Sequence, residues 1–170
     1  MTKIIVALGD ITHQNTEAIV NSANPSLLGG GGVDGAIHAA AGPELLEECR
    51  KLGGCKTGEA KITNGHKLPA DYIIHTVGPV YGMTSGHDGE LLTACYRSCL
   101  DLAKDHLIRS IAFPSISTGA YGYPIAKAAP IAIEAVLRWV KDHPDAFSEI
   151  RFLLHSTRDY DVYAKLLGET

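Results

Sequence analysis

Six short β-branched runs, separated in several places by longer stretches with helical spacing, leave this chain few folds to choose from. The runs are "KIIVAL" (3–8), "EAIVN" (17–21), "EAKIT" (59–63), "YIIHTV" (72–77), "SIAFP" (110–114) and "EIRFLLH" (149–155). "KIIVAL" and "YIIHTV" are apolar without alternation, the pattern of strands buried on both faces. Leu91, Leu92, Cys95, Cys99 and Leu102 form one apolar stripe at helical spacing over 88–107. Ile131, Ala135, Val136, Trp139 and Val140 form another over 124–142. Strands alternating with helices predict an α/β sandwich, with helices covering both faces of one sheet. Pro43, Pro124 and Pro144 fall at expected helix boundaries, where a missing N–H costs least. Gly42 ends one helix and Pro43 opens the next, "PELLEECRKLGG". No linker or repeat interrupts the pattern, so residues 1–170 read as one domain with one core.

Several function classes are then disfavoured. No apolar run approaches the roughly 18 residues that a membrane-spanning helix needs. "MTKIIVALGD" holds a six-residue apolar run ending in Gly9-Asp10, and it reads as a first strand rather than a secretory signal. A cytoplasmic location without membrane association is therefore expected. The net charge is −4 and the basic residues are scattered, which is no footprint for nucleic acid. Cys49, Cys55, Cys95 and Cys99 form no C-x-x-C pair. They read as buried thiols in a reducing compartment rather than as zinc ligands, which come as closely spaced pairs, so no metal is expected.

Four sites, two of them within one stretch, depart from ordinary α/β filler. "LGDIT" (8–12) follows the first strand, and ligands on open α/β sheets bind outside the carboxyl ends of strands. Asp10 can accept hydrogen bonds there from an exocyclic amine, or it can simply close an Asx-turn. In "NSANPSLLGGGGVDGAIHAAAG" (21–42), Gly30, Gly32 and Gly35 formally fit G-x-G-x-x-G. That fingerprint should follow its strand at once, and here eight residues separate Asn21 from Gly30, so a dinucleotide fold is not indicated. Bare backbone N–H groups beside a helix start still attract an anion.

Asp34 closes that loop as a helix N-cap or as a group that polarises water. Asn24, before Pro25, either initiates a turn or orients a ribose hydroxyl. "PSISTGAYGYP" (114–124) is a second nest of N–H and hydroxyl donors at a strand's end, with Tyr121 as an aromatic face for a sugar. Two donor-rich loops facing each other across a sheet edge describe a slot for a nucleotide diphosphate carrying a second sugar.

"GDIT", "VNSANPSLLGGGGVDGAIHAAAGPEL", "HTVGPVY" and "PSISTGAYGYP", in that order, resemble a macro domain of the MacroD type, over about Lys3 to Leu167. The resemblance implies a three-layer α/β/α sandwich around a mixed sheet of six or seven strands. It implies ADP-ribose as ligand and no cofactor. The implied reactions are hydrolysis of O-acetyl-ADP-ribose and removal of single ADP-ribosyl groups from acidic side chains of proteins.

By the same resemblance Asp10 holds the adenine amino group and the Ile11 backbone contacts the ring. Asn24 positions the distal ribose, and Gly31, Gly32 and Val33 cover phosphates and ribose, with Asp34 as the catalytic acid/base. Ser117, Thr118, Gly119, Ala120 and Tyr121 form the opposing diphosphate loop. Many relatives stack Phe or Tyr on adenine where this chain has His155, whose imidazole offers less area and can carry charge near neutral pH. ADP-ribosyl esters and mono-ADP-ribosylated proteins are the expected partners of a monomer. A binding module that reads ADP-ribose without turnover, or a phosphatase acting on ADP-ribose 1''-phosphate, would use the same pocket.

Overall fold

The computed structural model describes residues 1–168, and each β-branched run forms a strand. These are β1 (Lys3–Leu8), β2 (Ala18–Ala23), β3 (Ala60–Asn64), β4 (Tyr72–Val77), β5 (Ser110–Phe113) and β6 (Glu149–Leu154). The helices are α1 (Gly32–Ala41), α2 (Pro43–Arg50), α3 (Asp88–Asp105), α4 (Ile125–Asp142) and α5 (Thr157–Leu166). A 3-10 turn, Ile11–His13, follows β1.

The strands form one six-stranded sheet in the order β1-β6-β5-β2-β4-β3. Every neighbouring pair is parallel except β3 against β4. Successive residues of the central strands serve opposite layers, which is why these strands are mostly apolar and show no apolar/polar alternation. Val20, Ile74, Ile111 and Phe113 pack with Leu92 and Cys99 of α3, Val136 and Trp139 of α4, and Tyr163 of α5. Ile19, Ile73 and Ala112 face the other way, onto Ile37 of α1 and onto Leu45 and Cys49 of α2. The result is an α/β/α sandwich.

α5 has no counterpart among the helices that apolar spacing predicts. Its start is marked by Ser156, whose hydroxyl accepts from the Asp159 N–H at 3.2 Å. That Ser-x-x-Asp pattern resembles the first half of a capping box. Tyr163 carries its burial, with its ring 5.2 Å from that of Phe152.

The topology positions the site. From β2 the chain proceeds to β3 and β4 on one side, while from β5 it crosses through α4 to β6 on the other. The reversal falls between β2 and β5, and the crevice outside the carboxyl ends of strands at such a point is where α/β sheets bind ligands.

Candidate functional site

All four singled-out sites emerge at that carboxyl edge. After β1, Asp10 is the N-cap of the 3-10 turn, and its Oδ1 accepts from Thr12 N at 2.9 Å and from Thr12 Oγ1 at 2.7 Å. The Asx-turn is thus real. The Thr12 hydroxyl, and after it the Thr12 N–H, hold the carboxyl below the usual aspartate value. Oδ2 is left facing solvent, 3.8 Å from His13 Nε2, on a side chain that is half exposed. One carboxylate oxygen therefore builds the turn and the other remains free to accept from a ligand amine. Ile11 is buried beneath it. His155 is exposed beside this turn, because Leu8 and Leu154 are in register and Gly9 N donates to Leu154 O at 2.9 Å.

After β2, Asn24 Oδ1 accepts from Ser26 N at 3.1 Å and Ser26 Oγ at 2.6 Å, while Nδ2 donates to Gly29 O at 2.9 Å. These bonds shape the turn that launches the glycine loop. Gly29 and Gly32 sit at φ +91° and +58°, conformations that side chains rarely adopt. Gly35 is required for a different reason: a Cβ there would stand 2.6 Å from the Gly30 carbonyl oxygen. A Cβ on Gly31 or Gly32 would meet nothing within 4 Å, so the crest of the loop is open.

The N-cap reading of Asp34 is corrected. α1 begins two residues earlier, at Gly32, with Gly31 in extended conformation as its N-cap. Asp34 lies in the first turn and is buried, with Oδ1 accepting from Asn21 Nδ2 at 2.9 Å and lying 3.4 Å from His38 Nε2. The helix N-terminus favours its negative charge. Asp34 Oδ2 and Asn24 Nδ2 converge at Gly30, each 3.3 Å from the position that a Cβ on Gly30 would occupy. Among the described residues, no side chain caps α1. The first N–H groups of its opening turn, Gly32 and Val33 included, therefore have no helical partner and remain available to an anion.

After β5, Ser117 adopts φ +68°, and its buried hydroxyl finds no partner among the described residues. Gly78 makes room for it, since a Cβ there would lie 2.0 Å from Ser117 Oγ. The Thr118 hydroxyl donates back to Ser115 O at 3.1 Å and lies 2.8 Å from Ser115 Oγ, and Gly122 N donates to Gly119 O at 3.0 Å. Among the described residues, the backbone N–H groups of Thr118, Gly119, Ala120 and Tyr121 have no hydrogen-bond partner. Four successive free donors form an anion nest. Tyr81 N donates to Tyr121 O at 2.9 Å, which ties the segment after β4 to this loop. The Tyr121 hydroxyl is pushed above its ordinary value, first by burial and then by the charge of Asp34. The glycine loop and the loop after β5 therefore share one electrostatic environment.

Three residues escaped the sequence reading. His38 stands four residues beyond Asp34, one helical turn on the same face. Asn21 and His75 are direct register partners on β2 and β4, fully buried. Their signal was polarity inside otherwise apolar strands.

A family model described as "Macro domain" matches residues 20–132. A macro domain-containing protein of Chlorobaculum tepidum is 59% identical over 159 residues, covering 94% of this chain and 92% of the relative. The human protein named ADP-ribose glycohydrolase MACROD2 is 51% identical over 168 residues, covering 98% of this chain, which spans only 40% of that protein. A solved Trypanosoma brucei macrodomain in complex with ADP-ribose superposes with a TM-score of 0.92 at 45% identity, over 97% of this chain and 67% of that one. The chain belongs to the macro domain family.

Proposed function

We propose that the chain binds ADP-ribose and hydrolyses its esters, both O-acetyl-ADP-ribose and single ADP-ribosyl groups on acidic side chains of proteins. The observation that carries this reading is the convergence of Asp34 Oδ2 and Asn24 Nδ2 at Gly30, each 3.3 Å from one point. On this reading the diphosphate lies between two sets of unpartnered N–H groups, those of Gly32–Val33 and those of 118–121. Adenine donates its amino hydrogens to Asp10 Oδ2 and stacks on His155. The distal ribose meets Asn24, and Asp34 Oδ2 orients the water that attacks the ester. Water adds across the ester bond, and ADP-ribose and a free carboxylate leave. The complex of the Trypanosoma brucei relative with ADP-ribose and the glycohydrolase name of the human relative support the same ligand and reaction class.

The four cysteines are free and buried. Burial pushes the thiols of Cys49 and Cys95 up to about 11, so they are poor nucleophiles. A reducing, cytoplasmic setting and a monomeric state are part of the proposal.

Calorimetry with ADP-ribose, followed by chromatography of O-acetyl-ADP-ribose and of ADP-ribose 1''-phosphate incubated with the protein, tests the reading. It expects ADP-ribose to bind and acetate to be released. Binding without release would make the chain a reader module, and phosphate release alone would make it a phosphatase.

A further inference from the structure

We propose that His75 is a positioning residue for the reaction: through the Asn21 amide it fixes Asp34 Oδ1, so that Oδ2 alone faces substrate. The proposal rests on the hydrolase reading above.

Asn21 and His75 face each other in register on β2 and β4, both without exposure. Asn21 Nδ2 lies 2.9 Å from Asp34 Oδ1 and 3.1 Å from His75 Nδ1. An amide nitrogen carries two hydrogens and no available lone pair, so both neighbours must accept. His75 Nδ1 is therefore unprotonated, and the ring proton sits on Nε2, from which it donates to Thr63 Oγ1 at 2.9 Å. The tautomer follows from the bonding pattern. Burial, and after it the nearby His38, holds the imidazole neutral, with a pKa of about 3.

The alternative orientation of Asn21 is closed off. Turning the amide over would aim its oxygen at Asp34 Oδ1, 2.9 Å away, and no tautomer of His75 relieves that clash of two acceptors. The observed orientation leaves Asn21 Oδ1 buried with no partner among the described residues. An orphaned buried carbonyl is costly. It persists because the two acceptors on either side of Nδ2 demand both hydrogens. Asp34 is consequently divided in function, with Oδ1 tied to Asn21 and close to His38, and Oδ2 turned toward Gly30 and the Asn24 amide. Without the acceptor at His75 the Asn21 amide is free to rotate, and the carboxylate loses its fixed plane.

The test compares wild type with His75→Leu, His75→Asn, Asn21→Ala and the Asn21→Ala/His75→Leu double variant. Each is assayed for ester turnover, ADP-ribose affinity and thermal unfolding. Loss of such a supporting partner should lower kcat about 10- to 100-fold in His75→Leu while ADP-ribose affinity holds. His75→Asn places an amide oxygen near the Nδ1 position and should recover most of kcat. In the Asn21→Ala background, His75→Leu should cost nothing further, because the two act through one bond. Unchanged kcat in His75→Leu, or costs that multiply in the double variant, would overturn the proposal.

A wild type that binds but releases nothing would defeat the hydrolase reading, and the tether is then decided by nitrogen shifts of the His75 ring. An Nε2–H tautomer that holds between about pH 5 and 8, and shifts when Asn21 is replaced, upholds the tether. An Nδ1–H tautomer overturns it. The same spectra serve if His75→Leu fails to fold.

Discussion

Gly35→Ala separates the packing demand of the glycine loop from the intrinsic cost of glycine. In a helix interior, glycine is worse than alanine by about 0.8–1.0 kcal/mol, so propensity alone predicts a gain. The added methyl would stand 2.6 Å from the Gly30 carbonyl oxygen, which belongs to the backbone and cannot rotate away. Reaching even a contact of 3.4 Å requires about 0.8 Å of movement between α1 and the loop. Overpacking of this kind typically costs about 1–3 kcal/mol, which cancels or outweighs the propensity gain. In a domain of this size each kcal/mol lowers Tm by about 2–4 °C.

The displaced residue is also Gly30, the point at which Asn24 Nδ2 and Asp34 Oδ2 converge. ADP-ribose affinity should therefore fall by about tenfold or more, given how steeply misplacement is penalised in binding and catalysis. The assay is thermal unfolding with and without ADP-ribose, with Gly89→Ala as control. That glycine lies in the first turn of α3, and its Cβ would meet only ordinary contacts at 3.7 and 4.0 Å. The expected result is a lowered Tm and weakened binding for Gly35→Ala, with Gly89→Ala neutral or more stable. A Gly35→Ala protein as stable as the control and binding normally would refute the steric account.

The remaining expectations follow from the same geometry. Gly78→Ala should be severely destabilising, since its Cβ would lie 2.0 Å from Ser117 Oγ and 2.8 Å from Ile116 Cγ2; adding Ser117→Ala should restore part of the loss in a denaturant titration. Stability should fall as pH drops from 6.5 toward about 3, because the unfolded chain protonates His75 and the folded one does not. The slope from this residue approaches about 1.4 kcal/mol per pH unit, and His75→Leu should abolish it in urea midpoints measured across the window. The Asp10 carboxyl is depressed below 3.8 by its Thr12 bonds, so its stabilisation exists above that pH and disappears as pH falls further. Asp10→Asn should therefore melt below wild type at pH 7, and the gap should begin to narrow only as pH falls below about 3.8.

The sheet was legible because buried parallel strands are written as mainly apolar runs without alternation, as in "KIIVAL" and "YIIHTV". The candidate site was legible because glycines and hydroxyls cluster after those strands. Three features resisted. Asp34 is a good N-cap by local preference, but its carboxylate is held by Asn21 from β2, and Gly31 takes the cap position instead. α5 buries few large side chains, so its apolar stripe is faint beside that of α4, and only the Ser156 cap announces it. The pairing of Asn21 with His75 joins residues 54 apart in the chain, through a register that no local pattern encodes. The antiparallel direction of β3 is likewise a tertiary outcome.

The most direct test of the account is release of ADP-ribose from a protein carrying a single aspartate- or glutamate-linked ADP-ribosyl group. Wild type and Asp34→Asn would be assayed together, with ADP-ribose affinity measured on both. Wild type should free ADP-ribose, whereas Asp34→Asn should still bind the ligand while turnover collapses. Equal turnover by the two proteins, or binding with no release by either, would contradict the account.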